Sequence, residues 1–148
     1  MAYATRAEIE ADFKDLSFTA TSNVKSDDVD QFIVESDALI DSYIGERYVV
    51  PVVTAGGGLS LLKLLSRSLT AARIKRIMEV KQDKGQDANQ NIVGVLLSPS
   101  AVMKILENLR DDKTALAGAL PLNTSGGFYN NNVANSVEAV MKKDEKQW

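Results

Sequence analysis

Apolar residues near the start of the chain recur at spacings of three and four, the period of an α-helix. The stretch TRAE at residues 5–8 is a capping box, in which a hydroxyl and a carboxylate satisfy free backbone amides reciprocally. Ile9, Phe13 and Leu16 follow it on one helical face. The pattern predicts a first helix that begins after Thr5 and ends before the Ser/Thr-rich loop at 17–23.

A second helix is predicted from about Ser26, with Gly45 as its stop signal. Asp27 and Asp28 lie in its first turn, where negative charge favours the positive end of the helix dipole. The other acidic residues are predicted on the solvent faces: Asp30, Glu35, Asp37 and Asp41. The apolar stripe comprises Val29, Phe32, Ile33, Ile40, Tyr43 and Ile44, with Ser36 and Leu39 on or near it.

The third helix is predicted from about Leu59 or Ser60 to Lys84, where Gly85 follows. It is apolar on two sides, which is typical of a central helix packed by several neighbours. Arg73 and Arg76 fall on its main apolar arc, so the second half is expected to leave the core there. One arc contains Leu61, Leu62, Leu65, Leu69 and Ala72, and the other Leu64, Ala71, Ile74 and Met78.

A fourth helix is predicted from Ser98 as cap and Pro99 in the first turn. Its apolar positions are Val102, Ile105, Leu106, Leu109 and Leu116. The run IVGVLL before it fits a strand or a helix equally. A last short helix is compatible with Val133, Val137, Val140 and Met141. The predicted fold class is all-α: a four-helix bundle-like protomer, with an extended loop between helices 2 and 3 and a C-terminal arm.

The amino-acid composition reduces the number of functions that this chain could have. The 148 residues suffice for one domain with a real core. The chain has no cysteine and no histidine, so disulfides, thiol nucleophiles and imidazole-dependent metal sites are excluded. We therefore expect no enzyme, no catalytic residue, no cofactor and no metal. A carboxylate enzyme built on Glu8, Glu10, Asp12 and Asp15 is a remote alternative. No secretory signal or membrane-spanning run is recognisable.

Charge is distributed unevenly along the chain. Residues 1–46 carry 11 acidic and 3 basic side chains, whereas residues 47–84 carry 8 basic and 2 acidic ones. This asymmetry indicates complementary surfaces, either within the chain or between copies of it. The alternative is a small helical nucleic-acid-binding protein that uses the basic third helix, although that helix lacks interleaved aromatic residues and a recognisable DNA-binding motif.

The segment YIGERYVVPVVTAGGG at residues 43–58 joins helices 2 and 3. Its three glycines lack the spacing of a phosphate-binding P-loop, and Pro51 blocks continuation of the helix. We expect an extended, projecting loop that becomes ordered against a neighbouring subunit. Beyond the helices, Phe128, Tyr129 and Trp148 lie in polar segments, where such aromatic residues are favoured interface anchors.

Three stretches together resemble the head–tail adaptor (connector) proteins of tailed bacteriophages, most closely the Mu-like group. They are YATRAEIEADF, VDQFIVESDALIDSYIGERYVVPV and LLKLLSRSLTAARIKRIM. The later segment RDDKTALAGALPL also resembles the family, so the resemblance covers roughly residues 3–122. The single motifs are short, and their order and spacing carry the resemblance: Ile40-Asp41-Ser42-Tyr43-Ile44 at the end of an acidic helix, then Arg47-Tyr48, then Pro51 and a Leu/Ala-rich helix.

The resemblance implies a homo-oligomeric ring, typically of twelve copies, at the neck of a virion made in the bacterial cytoplasm. The ring would bind the portal protein and a tail, stopper or tail-terminator protein, without membrane contact. It would surround DNA that passes without sequence-specific binding. Residues 1–125 would form the adaptor domain and residues 126–148 the arm. The predicted interface residues are Arg47, Tyr48, Pro51, Gly56, Gly57, Gly58, Arg73, Arg76, Phe128, Tyr129 and Trp148.

Overall fold

The computed structural model describes residues 2–13, 16–81, 94 and 96–122. Within these ranges the chain forms four α-helices and no strand, which confirms the all-α prediction. The helices are α1 (Arg6–Asp12), α2 (Ser26–Ile44), α3 (Gly57–Lys81) and α4 (Pro99–Arg110). The predicted arm at 126–148, its short helix and the predicted end of the third helix at Lys84 lie outside the described residues.

The predicted start of α1 is confirmed. The Thr5 hydroxyl accepts a hydrogen bond from the Glu8 amide at 3.3 Å, and the Glu8 carboxylate accepts one from the Thr5 amide at 2.8 Å. The helix ends at Asp12, before the apolar stripe does, because Phe13 takes an extended backbone conformation. Phe13 and Leu16 still pack in the core, but they do so from an irregular segment.

The predicted bounds of α2 are confirmed, and most of its apolar stripe is buried. The placement of Asp37 on a solvent face is wrong, since its residue is only 6% exposed. Its carboxylate accepts hydrogen bonds from the Ser66 hydroxyl at 2.5 Å and from the Tyr3 backbone amide at 2.7 Å. A buried carboxylate is tolerated where donors replace the water it has lost.

Residues 66–70 form a polar segment in the middle of α3. Toward α2, the Ser66 hydroxyl meets Asp37 and the Thr70 hydroxyl donates to the Ser36 hydroxyl at 3.2 Å. All four of these side chains belong to buried residues. The two hydrogen bonds therefore fix the register of α2 against α3 in a way that apolar packing alone would not.

The same polar segment also holds α1 and the chain that enters α4. Arg67 Nε donates to Asp12 Oδ2 at 2.8 Å, and a second guanidinium nitrogen pairs with the other oxygen of that carboxylate. The Leu97 amide donates to the Ser68 hydroxyl at 3.1 Å, and Ser68 donates to the Leu64 carbonyl at 2.7 Å. The contacts of α3 with α1, α2 and α4 agree with the prediction of a helix packed by several neighbours, and α2 likewise contacts all three other helices.

Apolar side chains form two clusters around α3. The first joins the C-terminal half of α2 to the first half of α3, to α4 and to the segments around Tyr48 and Leu116. The second joins α1 and the N-terminal half of α2 to the second half of α3. The largest fully buried aliphatic side chains are Ile9, Ile40, Ile44, Leu62, Leu65, Ile74, Leu106 and Leu109.

The connection between α2 and α3 is packed at its beginning, so the prediction that all of it projects is wrong. Tyr48 and Val52 are buried, and the Tyr48 hydroxyl accepts a hydrogen bond from the Leu116 amide at 3.0 Å. Tyr48 also forms an isolated antiparallel bridge with Pro121. Only the stretch 53–57 is exposed throughout.

The glycine cluster belongs largely to α3, which begins at Gly57, two or three residues before the predicted start. Gly58 is buried, and its amide donates to the Ala117 carbonyl at 2.9 Å. A Cβ atom at position 58 would lie 2.3 Å from that carbonyl oxygen. The expectation of an adaptable, projecting glycine loop is therefore wrong at Gly58, where glycine permits close packing.

The predicted inclusion of Leu116 in the fourth helix is also wrong. The helix ends at Arg110, and Asp112 two residues later has a φ of 62°, which helical geometry does not allow. Leu116 is buried from the irregular segment that follows, in the first apolar cluster. An apolar residue can thus have the spacing of a helix in the sequence and still reach the core from a loop.

We expect Gly58→Ala to destabilise the fold by about 1–3 kcal/mol, because the added methyl group must displace the Ala117 carbonyl or the Leu116 side chain. Gly57→Ala is the matched control, since its Cβ would meet only Ala117 Cβ at 3.9 Å. That variant should be neutral or slightly more stable. Urea denaturation followed by circular dichroism measures both. Equal stability of the two variants would contradict the packing described here.

Candidate functional site

Ion pairs between the acidic and basic parts of the chain explain much of the charge asymmetry. Within the described residues, Lys63 Nζ lies 3.6 Å from a Glu8 carboxylate oxygen, and Arg67 pairs with the buried Asp12. A third such ion pair connects Arg73 with Glu35, whereas Arg6 and Asp30 pair within the acidic part. The complementary surfaces predicted from sequence therefore meet inside the chain to a large extent.

A groove of about 460 Å³ opens between α2, α3 and the start of α4. Arg73 and Arg76 lie on its rim, and both are exposed. The expectation that the second half of α3 leaves the core there is wrong, because Ile74 and Met78 from that half are buried in the second apolar cluster. Arg73 is held by Glu35 and by the Phe32 ring, whose centroid lies 4.9 Å from the guanidinium carbon. The apolar residues that line the groove are Leu39, Leu69, Ala72 and Pro99.

Arg76 has a different environment from Arg73. It forms no ion pair within the part of the chain that the structure describes. Because Glu35 is already paired with Arg73, Arg76 gives the groove rim a net positive charge. Hydrogen bonding to Arg73 holds the pKa of Glu35 below its ordinary value, so this carboxylate is ionised at neutral pH. The groove therefore combines an apolar floor with a cationic rim.

A second exposed surface surrounds the Tyr48–Pro121 bridge. The Val49 amide donates to the Leu120 carbonyl at 2.9 Å, and the Leu122 amide donates to the Arg47 carbonyl at 2.7 Å. This pairing places Val49, Leu120 and Leu122 on one face, where they are 49%, 64% and 41% exposed. We call these three residues the apolar patch. Glu46 is exposed just before the bridge.

Several predicted interface residues already have partners within the chain. Arg47 donates to the Leu109 carbonyl at 3.0 Å, pairs with Asp112 and lies over the Tyr48 ring. Tyr48 is buried against the Leu116 segment. These contacts give Arg47 and Tyr48 a structural role in closing the bridge. Their contact with another subunit stays a prediction.

The remaining predicted interface residues are dispersed. Pro51, Gly56 and Gly57 are exposed near the bridge, whereas Gly58 is buried beneath Ala117. Arg73 and Arg76 lie together at the groove, apart from that set. The predicted anchors Phe128, Tyr129 and Trp148 lie outside the described residues. The structure thus separates the predicted interface into two surfaces.

Sequence reasoning did not single out the side chains that complete the two surfaces. Leu39 and Leu69 were assigned to core stripes, yet both line the groove. Leu120 and Leu122 were passed over within a turn-rich segment. A usable signal was present, because VVPVV and ALPL are two short apolar pieces, each interrupted by proline. Such pieces suit short extended pairing at an exposed edge.

A buried polar network ties the start of the chain to α2. The Tyr3 hydroxyl donates to Asp41 and accepts a hydrogen bond from the Val52 amide at 3.1 Å. Burial, followed by the hydrogen bond to Asp41, raises the pKa of Tyr3. Burial also raises the pKa of the Asp37 carboxyl, against the lowering effect of its donors Ser66 and Tyr3. This network positions the segment that leads from the bridge to α3.

The described residues contain no cluster of three or more histidine, cysteine, aspartate or glutamate side chains that could hold a metal ion. None of the helices in this part of the chain is long and apolar enough to cross a membrane. The α1 carboxylates named as a remote catalytic possibility have structural contacts: Glu8 with Lys63, Glu10 with the Phe18 amide at 3.0 Å, and Asp12 with Arg67. Asp15 lies outside the described residues.

Comparison with known families gives one match. The model described as "Bacteriophage Mu, Gp36" matches residues 3–125, which is most of the chain and includes α1 to α4 and both exposed surfaces. A search of the curated proteins finds no match, and a search of the solved structures finds none either.

We expect Asp37→Asn to change how stability depends on pH. The raised pKa means that the folded chain binds a proton at higher pH than the unfolded chain, whose carboxyl titrates near 3.8. The free energy of unfolding contributed by Asp37 therefore falls as the pH rises through the raised pKa. Asparagine removes this penalty, and it can still accept from Tyr3 and donate to Ser66.

Urea denaturation at several pH values should show Asp37→Asn gaining stability relative to the unaltered chain as the pH rises from about 4 to 7. Comparing the variant with the unaltered chain at each pH cancels the effect of the other carboxylates on the free energy of unfolding. Asp37→Ala is the control, because it leaves the buried donors unpaired and should cost about 1–3 kcal/mol. If the free energy of unfolding of Asp37→Asn, relative to the unaltered chain, does not change or falls as the pH rises, the burial of the Asp37 carboxylate described here is contradicted.

Proposed function

Because the chain belongs to the bacteriophage Mu Gp36 family, we propose that it is a structural virion protein, the head–tail adaptor or connector. In this proposal it forms a homo-oligomeric ring, with twelve copies as the expected number, between the portal and the tail. It acts at the neck of the virion and is made in the bacterial cytoplasm. The observation that carries the proposal is the family match over residues 3–125, which spans the stretches that resemble adaptor proteins.

The two exposed surfaces support assembly as the mechanism. A closed ring needs a heterologous contact, in which one patch meets a different patch on the neighbouring copy. The groove and the apolar patch are separate and differ in chemistry. Contiguous apolar surface on a small domain is a common mark of protein–protein contact. The ring would extend the DNA channel and give the tail, a stopper or a tail terminator its docking surface.

We infer no chemical reaction and no cofactor for this protein. The chain has no histidine or cysteine, and the α1 carboxylates are committed to caps and ion pairs where the structure describes them. A general acid or base needs access to a substrate, and the Asp12 carboxylate is buried and paired with Arg67. The role of the protein in the virion would be assembly and support of the head–tail connection.

The nucleic-acid alternative loses support from the ion pairs. Lys63, Arg67 and Arg73 are each paired with a carboxylate of the same chain. Phosphate binding gains affinity from cations that release counterions, and cations already neutralised contribute less to it. We therefore favour a ring through which DNA passes without sequence-specific binding over a protein that binds nucleic acid through α3.

Ring formation is the direct test of the proposed function. Native mass spectrometry and negative-stain electron microscopy of the full chain, alone and with its portal protein, should show a closed ring of about twelve copies. Size-exclusion chromatography of the same samples supplies the monomer reference. Monomers alone, even with the portal protein present, would contradict the adaptor role.

The C-terminal arm gives a second prediction. If residues 126–148 reach the portal or a neighbouring copy, deleting them should weaken docking to the portal strongly. The helical domain should lose less than about 1 kcal/mol of stability, because surface segments outside the core contribute little. Portal co-sedimentation measures docking, and urea denaturation measures folding. If the deletion reduces the stability of the domain more than it reduces docking to the portal, the arm is part of the core instead.

A further inference from the structure

The groove and the apolar patch complement each other in chemistry. We propose that the apolar patch of one copy docks in the groove of the next copy, with Glu46 of the first facing Arg76 of the second. The inference rests on the proposed ring and names the two surfaces that would close it. Both surfaces consist of described residues, so the proposal does not depend on the C-terminal arm.

The apolar part of the proposal follows from exposure. Val49, Leu120 and Leu122 present branched aliphatic side chains to solvent on one face of the bridge. The groove floor presents Leu39, which is 37% exposed, beside Leu69. Covering such surfaces contributes about 25 cal/mol for each Å² of apolar area removed from water. An aliphatic ridge entering an aliphatic groove is a contact that packing favours.

Charge selects the partner and its orientation. Arg76 is the rim cation that the chain leaves without an ion pair among the described residues, because Arg73 is held by Glu35. Glu46 is an exposed carboxylate that forms no salt bridge in the same ranges and adjoins the bridge. The charge of Arg110 interacts with it electrostatically, but Arg110 is paired with Asp111. The nearby Asp112 is neutralised by Arg47. Among the described residues, one carboxylate without a salt bridge beside the patch thus matches one arginine without a salt bridge beside the groove.

The geometry requires the contact to occur between copies. Pro99 at the start of α4 lines the groove, whereas Leu109 near its end accepts the hydrogen bond from Arg47 at the bridge. The helical rise separates these two positions by about 15 Å. A patch fixed to the bridge by Tyr48 cannot reach its own groove. Contact between two different patches is heterologous and generates a ring when the rotation closes.

Charge reversal tests the proposed pair. Arg76→Glu and Glu46→Lys should each reduce ring formation about tenfold or more, because like charges would face each other across the contact. The double variant should recover most of it, since every contact then has a lysine opposite a glutamate. Lys104→Glu and Glu107→Lys are matched controls on the exposed face of α4 and should assemble normally. Native mass spectrometry measures the ring fraction, and thermal unfolding confirms that each variant folds.

Cysteine trapping tests the apposition of the two surfaces independently. The chain contains no cysteine, so Leu39→Cys with Leu120→Cys introduces the only thiols. Mild oxidation of the assembled double variant should give a ladder of disulfide-linked oligomers. Val34→Cys with Leu120→Cys is the control, because Val34 is exposed on α2 outside the groove, and it should give no ladder.

The outcomes separate this inference from the proposed function. If the unaltered chain forms rings and both charge reversals form them equally well, the surface assignment is overturned while the adaptor role stands. If no ring forms even with the portal protein, both the adaptor role and the surface assignment are contradicted. A groove thiol at position 39 that becomes reactive only after deletion of residues 126–148 would show that the arm occupies the groove. That result would also overturn the inference.

Discussion

The structure depends on satisfying the polar segment of α3 inside the protein. Residues 66–70 carry hydroxyl and guanidinium groups at the centre of the bundle, where an unpaired polar group costs about 1–3 kcal/mol. Their partners come from three directions: α2 through Asp37 and Ser36, α1 through Asp12, and the entry to α4 through the Leu97 amide. The neighbouring elements are therefore held in one register around α3.

Ion pairs within the chain determine which charged groups stay available at the surface of α3. Most basic side chains of α3 that the structure describes are matched by acids of α1 and α2, so the helix is a poor phosphate-binding stripe. What it leaves exposed is Arg76 above an apolar groove. The bridge at Tyr48 leaves an apolar patch beside Glu46. Both features suit a protein whose role is to bind copies of itself and neighbouring virion proteins.

Local signals in the sequence predicted the helices well, because caps and stripes depend on residues a few positions apart. The Thr5 box, the start of α2 near Ser26 and the Ser98 cap are such features. Asp37, Tyr48 and Gly58 were misjudged because their partners, Ser66, Leu116 and Ala117, are distant in the chain. The groove could not be predicted either, since it exists only where three helices meet.

Hydrogen exchange of the free and the portal-assembled protein tests the account most directly, because it reports which surfaces assembly covers. The account predicts new protection in residues 46–53 and 120–122 around the bridge. It also predicts protection in residues 69–76 and around Pro99 at the groove, with little change in α1. Protection confined to α1 and the N-terminal half of α2, or no protection at all, would contradict it.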